Sequence, residues 1–449
     1  MRDAGEFDVA IVGAGAAGLA TAIAAGREVA RRGASQRIVV VDGAGRPGRK
    51  ILVSGGGRCN VTHDVVDETS FHGSTPAAIR KVLRRFGVED AIALFHGLGV
   101  ELVREEGGKL FPASGRARDV LEALLAGARS AGASLLHPFR VESVVPVDGR
   151  FALQGPQGRL RATRVVLATG GRSLPGTGSD GHGLEIARTL GHSVAGPVVP
   201  ALVPLVLDAG CFLRELAGIS APARVLVLGA SGRRLASAEG SVLCTHFGLS
   251  GPAILDASRH LAMARAAGDA CSLAVDWLPH RTAAEWEAAI LARPGIGPGR
   301  FLREAGLVER LADALCRHAG VDPSRPMHDL PRERRRALLA SATALVVPVV
   351  GDRGFSHAEV TAGGVPLAEI RLETMESRLR PGLHLVGEIC DVDGRIGGYN
   401  FQWAWASGHV AGIALGGQGA IPRATGDRRV ADDAGHGAGH GLGPRAKIS

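Results

Sequence analysis

Residues 7–42, FDVAIVGAGAAGLATAIAAGREVARRGASQRIVVVD, constrain the fold more than any other part of this chain. Val9 to Val12 form an apolar run that reads as a strand, and Gly13-Ala14-Gly15-Ala16-Ala17-Gly18 follows it as a G-x-G-x-x-G turn. An alanine-rich helical segment comes next, and RIVVVD reads as a buried parallel strand ending in an acid. A G-x-G-x-x-G string alone is a weak signal. A strand before it, a helix after it and Asp42 at the tip of the second strand supply the context of a dinucleotide site. The first glycine permits the tight turn, the second lets the backbone approach a pyrophosphate, and the third lets helix and strand pack closely. Asp42 is expected to accept hydrogen bonds from the adenosine ribose hydroxyls.

The 449 residues suffice for two or three domains, and 45% hydrophobic with 21% charged residues is ordinary for a globular chain. The 65 glycines are the outlier; they cluster in turn-like strings rather than on a period, which excludes collagen and favours ligand loops. A net charge of +8 raises the question of a nucleic-acid or anionic-lipid partner. Only four of the 52 basic residues are lysine (Lys50, Lys81, Lys109 and Lys447) and the other 48 are arginine, the composition a GC-rich genome produces by default. The densest basic run, PRERRRALL at 331–339, reads as a solvated helix face. Six scattered cysteines without a C-x-x-C pair, no apolar leader and no stretch of 18 apolar residues lead to the expectation of a reduced, soluble, cytoplasmic protein with no membrane association, no structural disulfide and no metal site. The oligomeric state is unknown from sequence.

RVVLATGG at 164–171 reads as another buried strand with a small-residue turn. A second G-x-G-x-x-G match, GTGSDG at Gly176–Gly181, follows a proline rather than a strand and is read as a loop, leaving one nucleotide fold. The expected architecture is α/β: a Rossmann-type domain whose first part spans 1–195, interrupted by an antiparallel β domain at 196–280 and a small helical domain at 281–342, and completed by 343–415. Thr282 and Glu285 are spaced as a capping box at the start of the helical part. Residues 416–449 read as a disordered tail that includes His436 and His440.

KILVSGGGRCNVTH at 50–63 has two readings, an exposed glycine loop or a bare backbone laid against a flat ligand. Together with VGAGAAGLATAIAA, GGKLFPASGRARDVLEAL, VVLATGGRSLPGTGSDGHG, THFGLSGPAIL, AEVTAGGV and GEICDVDGRIGGYNFQWAWASGHVAG, it resembles the bacterial BaiN/HI0933-like FAD-dependent oxidoreductases, in order over residues 8 to 415. Two departures are small: Asp42 where an acid, often glutamate, is expected, and Cys390 where an aliphatic residue would be.

The resemblance implies FAD. Its pyrophosphate would lie over Gly13, Gly15, Ala16, Ala17 and Gly18 at the helix N-terminus, where free N–H groups and the dipole favour negative charge. Val141 would hold the adenine edge through its backbone, and Gly387-Glu388 the ribityl hydroxyls. Lys50, the Ala168-Thr169-Gly170 turn and Gly397-Gly398-Tyr399-Asn400 join the same site, with a helix starting near Asn400 pointing at the flavin pyrimidine edge. The Ser54-Gly55-Gly56-Gly57 backbone would run along the isoalloxazine, with Arg58, Cys59 and Asn60 projecting near its reactive face. Trp403 and Trp405 read as core packing. Cys59 is either a small buried hydrophobe or, with a thiol pKa lowered by Arg58 and a helix end, the proton-donating acid.

The implied activity is hydride transfer from reduced flavin to a conjugated C=C bond, with NAD(P)H as a diffusible donor. The leading substrate is uridine in large-subunit ribosomal RNA, giving dihydrouridine. A steroid-like enone, an amine or metabolite oxidase reaction using O2, and a non-catalytic redox-sensing flavoprotein with Cys59 and Cys390 as switches stay open.

Overall fold

The computed structural model describes residues 3–418. Strand Asp3–Val12, helix Ala16–Arg31 and strand Ile38–Val41 make the βαβ unit read from the motif. Five strands run parallel in the spatial order Leu383–Leu385, Gly158–Leu167, Asp3–Val12, Ile38–Val41, Ser134–Leu136. All four residues of Ile38–Val41 are buried, the pattern of a parallel strand covered on both faces. The chain leaves this sheet after Leu167 and rejoins it only at Ile370, so the nucleotide-binding part is built from two distant segments.

The second segment ends in helix Tyr399–Gly417, which lies against Ala16–Arg31. Gly408, Gly412 and Gly416 recur every four residues on the contact face. A Cβ at these positions would stand 2.5, 2.6 and 2.6 Å from the carbonyl oxygens of Ala17, Thr21 and Ala25. The two backbones thus touch along three successive turns. The expected tail boundary at 416 falls inside this helix; the remainder of that segment, with His436 and His440, lies outside the described residues.

Between the two segments, residues 205–352 form a seven-stranded antiparallel sheet ordered Leu345–Val347, Cys271–Asp276, Ser220–Gly229, Arg234–Thr245, Gly248–Ser250, Leu205–Leu207, Val349–Asp352. Its last two strands in sequence lie beyond the boundary expected at 343. Helix Pro252–Ala266 packs on the sheet, and Ala283–Leu291, Pro298–Glu304, Glu309–His318 and Arg332–Thr343 follow. Thr282 and Glu285 form the capping box reciprocally. Arg332, Arg334 and Arg336 are exposed while Leu338 and Leu339 are buried, so the basic run is a solvated helix face. Trp277, Trp286, Phe301, Leu311 and Leu315 belong to one buried cluster with the sheet, so strands and helices of the insert share a single core.

The insert joins the nucleotide-binding part through the antiparallel pair Ala195–Ala201 and Val360–Gly364. Beside this joint, Arg259 grips Asp393 with two hydrogen bonds of 2.6 and 2.9 Å, Arg395 pairs with Asp256 at 3.2 Å, and the His72 and His260 rings meet edge to face. Burial holds both imidazoles down at about 4, helped by Arg259 and, at His72, by Arg395. A histidine with a depressed folded value stabilises the fold fully above its unfolded value of 6.5 and loses that contribution as pH falls through about 4. Asp391, pushed up by burial to about 6, and the raised Asp256 and Asp393 act in the opposite sense. The histidine share is therefore read as a difference. The melting-temperature gap between the wild type and a His72→Asn/His260→Asn variant is expected to move against the wild type between pH 7 and pH 5; a pH-independent gap removes this account.

Candidate functional site

One cavity of about 680 Å³ runs from the G-x-G-x-x-G turn to the joint with the insert. At its centre Gly13, Gly15, Ala16 and Ala17 form one wall and Ala168, Thr169 and Gly170 another. Gly18 is not in the wall. A Cβ there would lie 1.9 Å from the Gly13 carbonyl oxygen, so its role is packing of helix on turn. At Gly15, by contrast, a Cβ would meet nothing within 4 Å, and the open space is cavity.

Val141 lines one end with Phe139 and Arg140. Asp42 is there too, but both its oxygens are engaged by main chain: Oδ2 accepts from Ala14 N–H and Oδ1 from Ala44 N–H, each at 2.8 Å. A carboxylate has about four lone-pair sites, so it ties the turn to the strand end with acceptor capacity left for a ribose. The GTGSDG segment is a loop, and its residues Gly176 to Asp180 line this same cavity.

At the other end lie Lys50, Ser54, Gly55, Gly56, Arg58, Asn60, Gly387, Glu388, Gly397, Gly398 and Asn400. Gly55, Gly56 and Gly57 have φ of 55°, 68° and 85°, a left-handed run that side chains with a Cβ resist. Gly57 itself does not reach the cavity wall. The Arg58 guanidinium stacks 4.0 Å from the Phe111 ring centre and pairs with Glu105 at 2.7 Å. Glu388 is held on both oxygens: Lys50 Nζ lies 2.5 Å from Oε2, and Oε1 accepts from Ser173 Oγ at 2.8 Å and Thr361 N–H at 3.0 Å. Asn400 uses its side-chain amide to clamp Gly394, accepting from its N–H at 2.8 Å and donating to its carbonyl at 2.9 Å. What helix Tyr399–Gly417 offers the cavity is its first turn, whose N–H groups precede the intrahelical bond from Gln402 to Gly398.

Besides Gly18 and Gly57, two more expected site residues face elsewhere. Cys59, at a φ of 62°, is fully buried in the core and absent from the cavity wall that its neighbours Arg58 and Asn60 line. Burial pushes its thiol up to about 12, opposite to the lowering expected, and the catalytic-acid role is withdrawn. Cys59→Ala should leave turnover within about 2-fold of wild type while costing roughly 1 kcal/mol of stability, measured by steady-state kinetics and thermal melts. Tyr399 packs its ring on His63 (4.9 Å between centroids) and edge-on to Phe71, and it is not in the cavity wall. Trp405 and Trp403 are core residues whose indole N–H groups donate to the Val61 and Gly387 carbonyls, and Trp403 also lines the cavity. Cys390 is likewise a buried core thiol, and all six cysteines are free.

The sequence reading missed Lys109, Phe111, Leu202, Glu359 and Arg395, which line the end near the joint. Leu202 and the cavity-lining Leu174 have φ of 51° and 53°, a conformation that costs a bulky residue about 1–2 kcal/mol. For the lysines a signal existed: in a chain whose bases are almost all arginine, two of four lysines sit in this cavity.

The residues fit a flavin dinucleotide. Asn60 Oδ1, Thr169 Oγ1 and Ser179 Oγ are buried without a hydrogen-bond partner, and all three residues line the cavity. With the space at Gly15 and Gly56 and two helix N-termini, they make a polar cradle for phosphates and a heteroaromatic ring.

A family model described as HI0933-like protein Rossmann domain matches residues 7–414. The chain is 34% identical over 410 residues to a 3-dehydro-bile acid delta(4,6)-reductase of Clostridium scindens, covering 90% of this chain and 98% of the relative. It is 32% identical over 407 residues to a ribosomal RNA dihydrouridine synthase of Escherichia coli, covering 90% and 96%. Among solved structures, the 3-ketosteroid-delta4-(5alpha)-dehydrogenase from Rhodococcus jostii RHA1 in complex with 4-androstene-3,17-dione aligns with a TM-score of 0.45 at 16% identity, over 93% of this chain and 98% of that one.

Proposed function

Since the chain belongs to the HI0933-like family of FAD-dependent oxidoreductases, we propose that it reduces a C=C bond conjugated to a carbonyl, with uridine of large-subunit ribosomal RNA as substrate and NAD(P)H as diffusible reductant. One observation carries this reading: Lys50, Arg58, Lys109 and Arg395 line the same cavity as the nucleotide cradle. Such a chamber suits a substrate whose carbonyl oxygen gains negative charge during reaction and whose backbone is anionic. FAD, when bound, supplies the hydride through its reduced ring.

The chain's own residues do the rest. The Gly13–Ala17 turn and the N-terminus of Ala16–Arg31 bind the pyrophosphate. The Lys50–Glu388 pair, fixed by Ser173 and Thr361, orients polar groups along the ring-bearing half. The first turn of Tyr399–Gly417 turns its positive dipole end toward the cavity and favours the anionic reduced ring. Among the described residues there is no second nucleotide-binding fold, since GTGSDG belongs to the same cavity, so the reductant has to reach the ring through the chamber itself.

Leu202, Phe111 and Ile396 add apolar wall, which supports a second reading, a steroid-like enone substrate. Nucleoside mass spectrometry of large ribosomal RNA from a deletion strain distinguishes them. Loss of dihydrouridine is expected; unchanged dihydrouridine overturns the RNA reading, and NADPH-dependent saturation of a 3-oxo-Δ4 steroid by the purified protein would then establish the other. Substrate-dependent peroxide without a saturated product would overturn both in favour of an oxidase.

A further inference from the structure

With Cys59 buried, the reaction proposed above lacks a proton donor. Four carboxyls line the cavity: Asp42, Asp180, Glu359 and Glu388. Asp42 is held by two main-chain N–H groups, Asp180 by Arg140 and the His182 N–H, and Glu388 by Lys50, Ser173 and Thr361. Among the described residues, the carboxyl of Glu359 alone of the four has neither a hydrogen bond nor an ion pair, and it interacts with Lys50 and Lys109 only at longer range. Its main chain, in contrast, is fixed: its N–H donates to the Leu202 carbonyl at 3.2 Å and its carbonyl lies 3.3 Å from Ser173 Oγ, the same hydroxyl that reaches Glu388. Glu359 therefore stands one hydroxyl away from the Lys50–Glu388 pair, at the end of the strand that joins insert to nucleotide-binding part. The Lys109 ammonium lines the same end and is also without an ion-pair partner among the described residues.

We propose that Glu359 is the catalytic acid of this site and that Lys109 balances the charge on the substrate carbonyl oxygen. The assignment rests on the reductase reading. In it, hydride from the reduced flavin forms a C–H bond at the β carbon of the conjugated system, or at C6 of uracil. The C=C electron pair moves toward the α carbon and the carbonyl oxygen, and the Glu359 carboxyl gives its proton to the α carbon, or to C5. The flavin ends oxidised, the substrate is reduced by two electrons, and the carboxylate regains its proton from solvent. The Glu359 side chain is exposed to the cavity space it lines, and the protein packed around it raises its value above that of an ordinary glutamate, as does Asp256, while Lys50 and Lys109 oppose.

The test uses holoenzyme reduced anaerobically and mixed with 2-cyclohexen-1-one or large ribosomal RNA lacking dihydrouridine, following flavin reoxidation against pH. Glu359→Gln is expected to slow reoxidation about 100-fold or more and to abolish its alkaline limb, with Glu359→Asp restoring part of both and flavin content unchanged in each. Independently of turnover, difference infrared titration of the oxidised holoenzyme should show a protonated-carboxyl band, absent from Glu359→Gln, that persists above the ordinary glutamate value. A Glu359→Gln enzyme with wild-type rate and pH profile, or a Glu359 that titrates as an ordinary glutamate, overturns the acid role and leaves the reductase reading standing. A wild-type enzyme whose flavin is reoxidised by neither probe overturns that reading, and the acid role with it.

Discussion

Gly15→Val is expected to yield a folded protein that purifies without its yellow colour. The two halves of this result come from one measurement of space. Gly15 caps the first helix with φ −88° and ψ −167°, an extended conformation open to any residue, and a Cβ there meets no protein atom within 4 Å. The fold should lose only the poorer N-cap, about 1 kcal/mol. What a valine does fill is the space a pyrophosphate needs over the free N–H groups. Losing that approach by about 3 kcal/mol corresponds to a roughly 100-fold weaker affinity, enough to strip the cofactor during purification. Visible absorbance per protein and thermal melts check the two halves separately. Gly18→Val is the counterpart: its side chain would run into the Gly13 carbonyl and the Ala168 methyl, so it should damage folding itself. If Gly15→Val keeps a full complement of flavin, the cavity is not a dinucleotide site of the kind argued here.

The second large effect lies far from the chemistry. Gly412→Leu would place a Cβ 2.5 Å from the Ala24 methyl and 2.6 Å from the Thr21 carbonyl oxygen. Because the obstacle is helix backbone rather than a movable side-chain tip, the two helices have to separate. We expect a loss of about 3 kcal/mol, read as a lower denaturation midpoint. Flavin retention should fall with it, since helix Tyr399–Gly417 presents its N-terminus to the cavity and its packing on Ala16–Arg31 sets that position. Exposed Ile413, its neighbour in sequence, is the control: Ile413→Ala should stay within about 0.5 kcal/mol of wild type.

The first fold unit and most of the cradle were legible because their signals are local. Strand, glycine turn, helix and acid in one 36-residue stretch follow from hydrophobic period and turn chemistry. The small-residue stripe of Gly408, Gly412 and Gly416 is equally readable at a spacing of four. Composition showed Lys50 and Lys109 as rare lysines, yet said nothing of where they point.

Side-chain direction and pairing belong to another category. Whether Cys59 faces ligand or core depends on one positive φ after three left-handed glycines, and on the core waiting behind it. Whether a carboxyl is occupied or free depends on partners hundreds of residues away: Glu388 meets Lys50 and Ser173, while Glu359 has no hydrogen bond or ion pair among the described residues. The linear order of residues thus determined the βαβ unit, the glycine cradle and the family, all of which are encoded over short spans by backbone conformation and alternation of apolar residues. Only the tertiary structure decided which acid faces the chamber and which thiol is sealed away, because burial and pairing arise when distant segments close on one another.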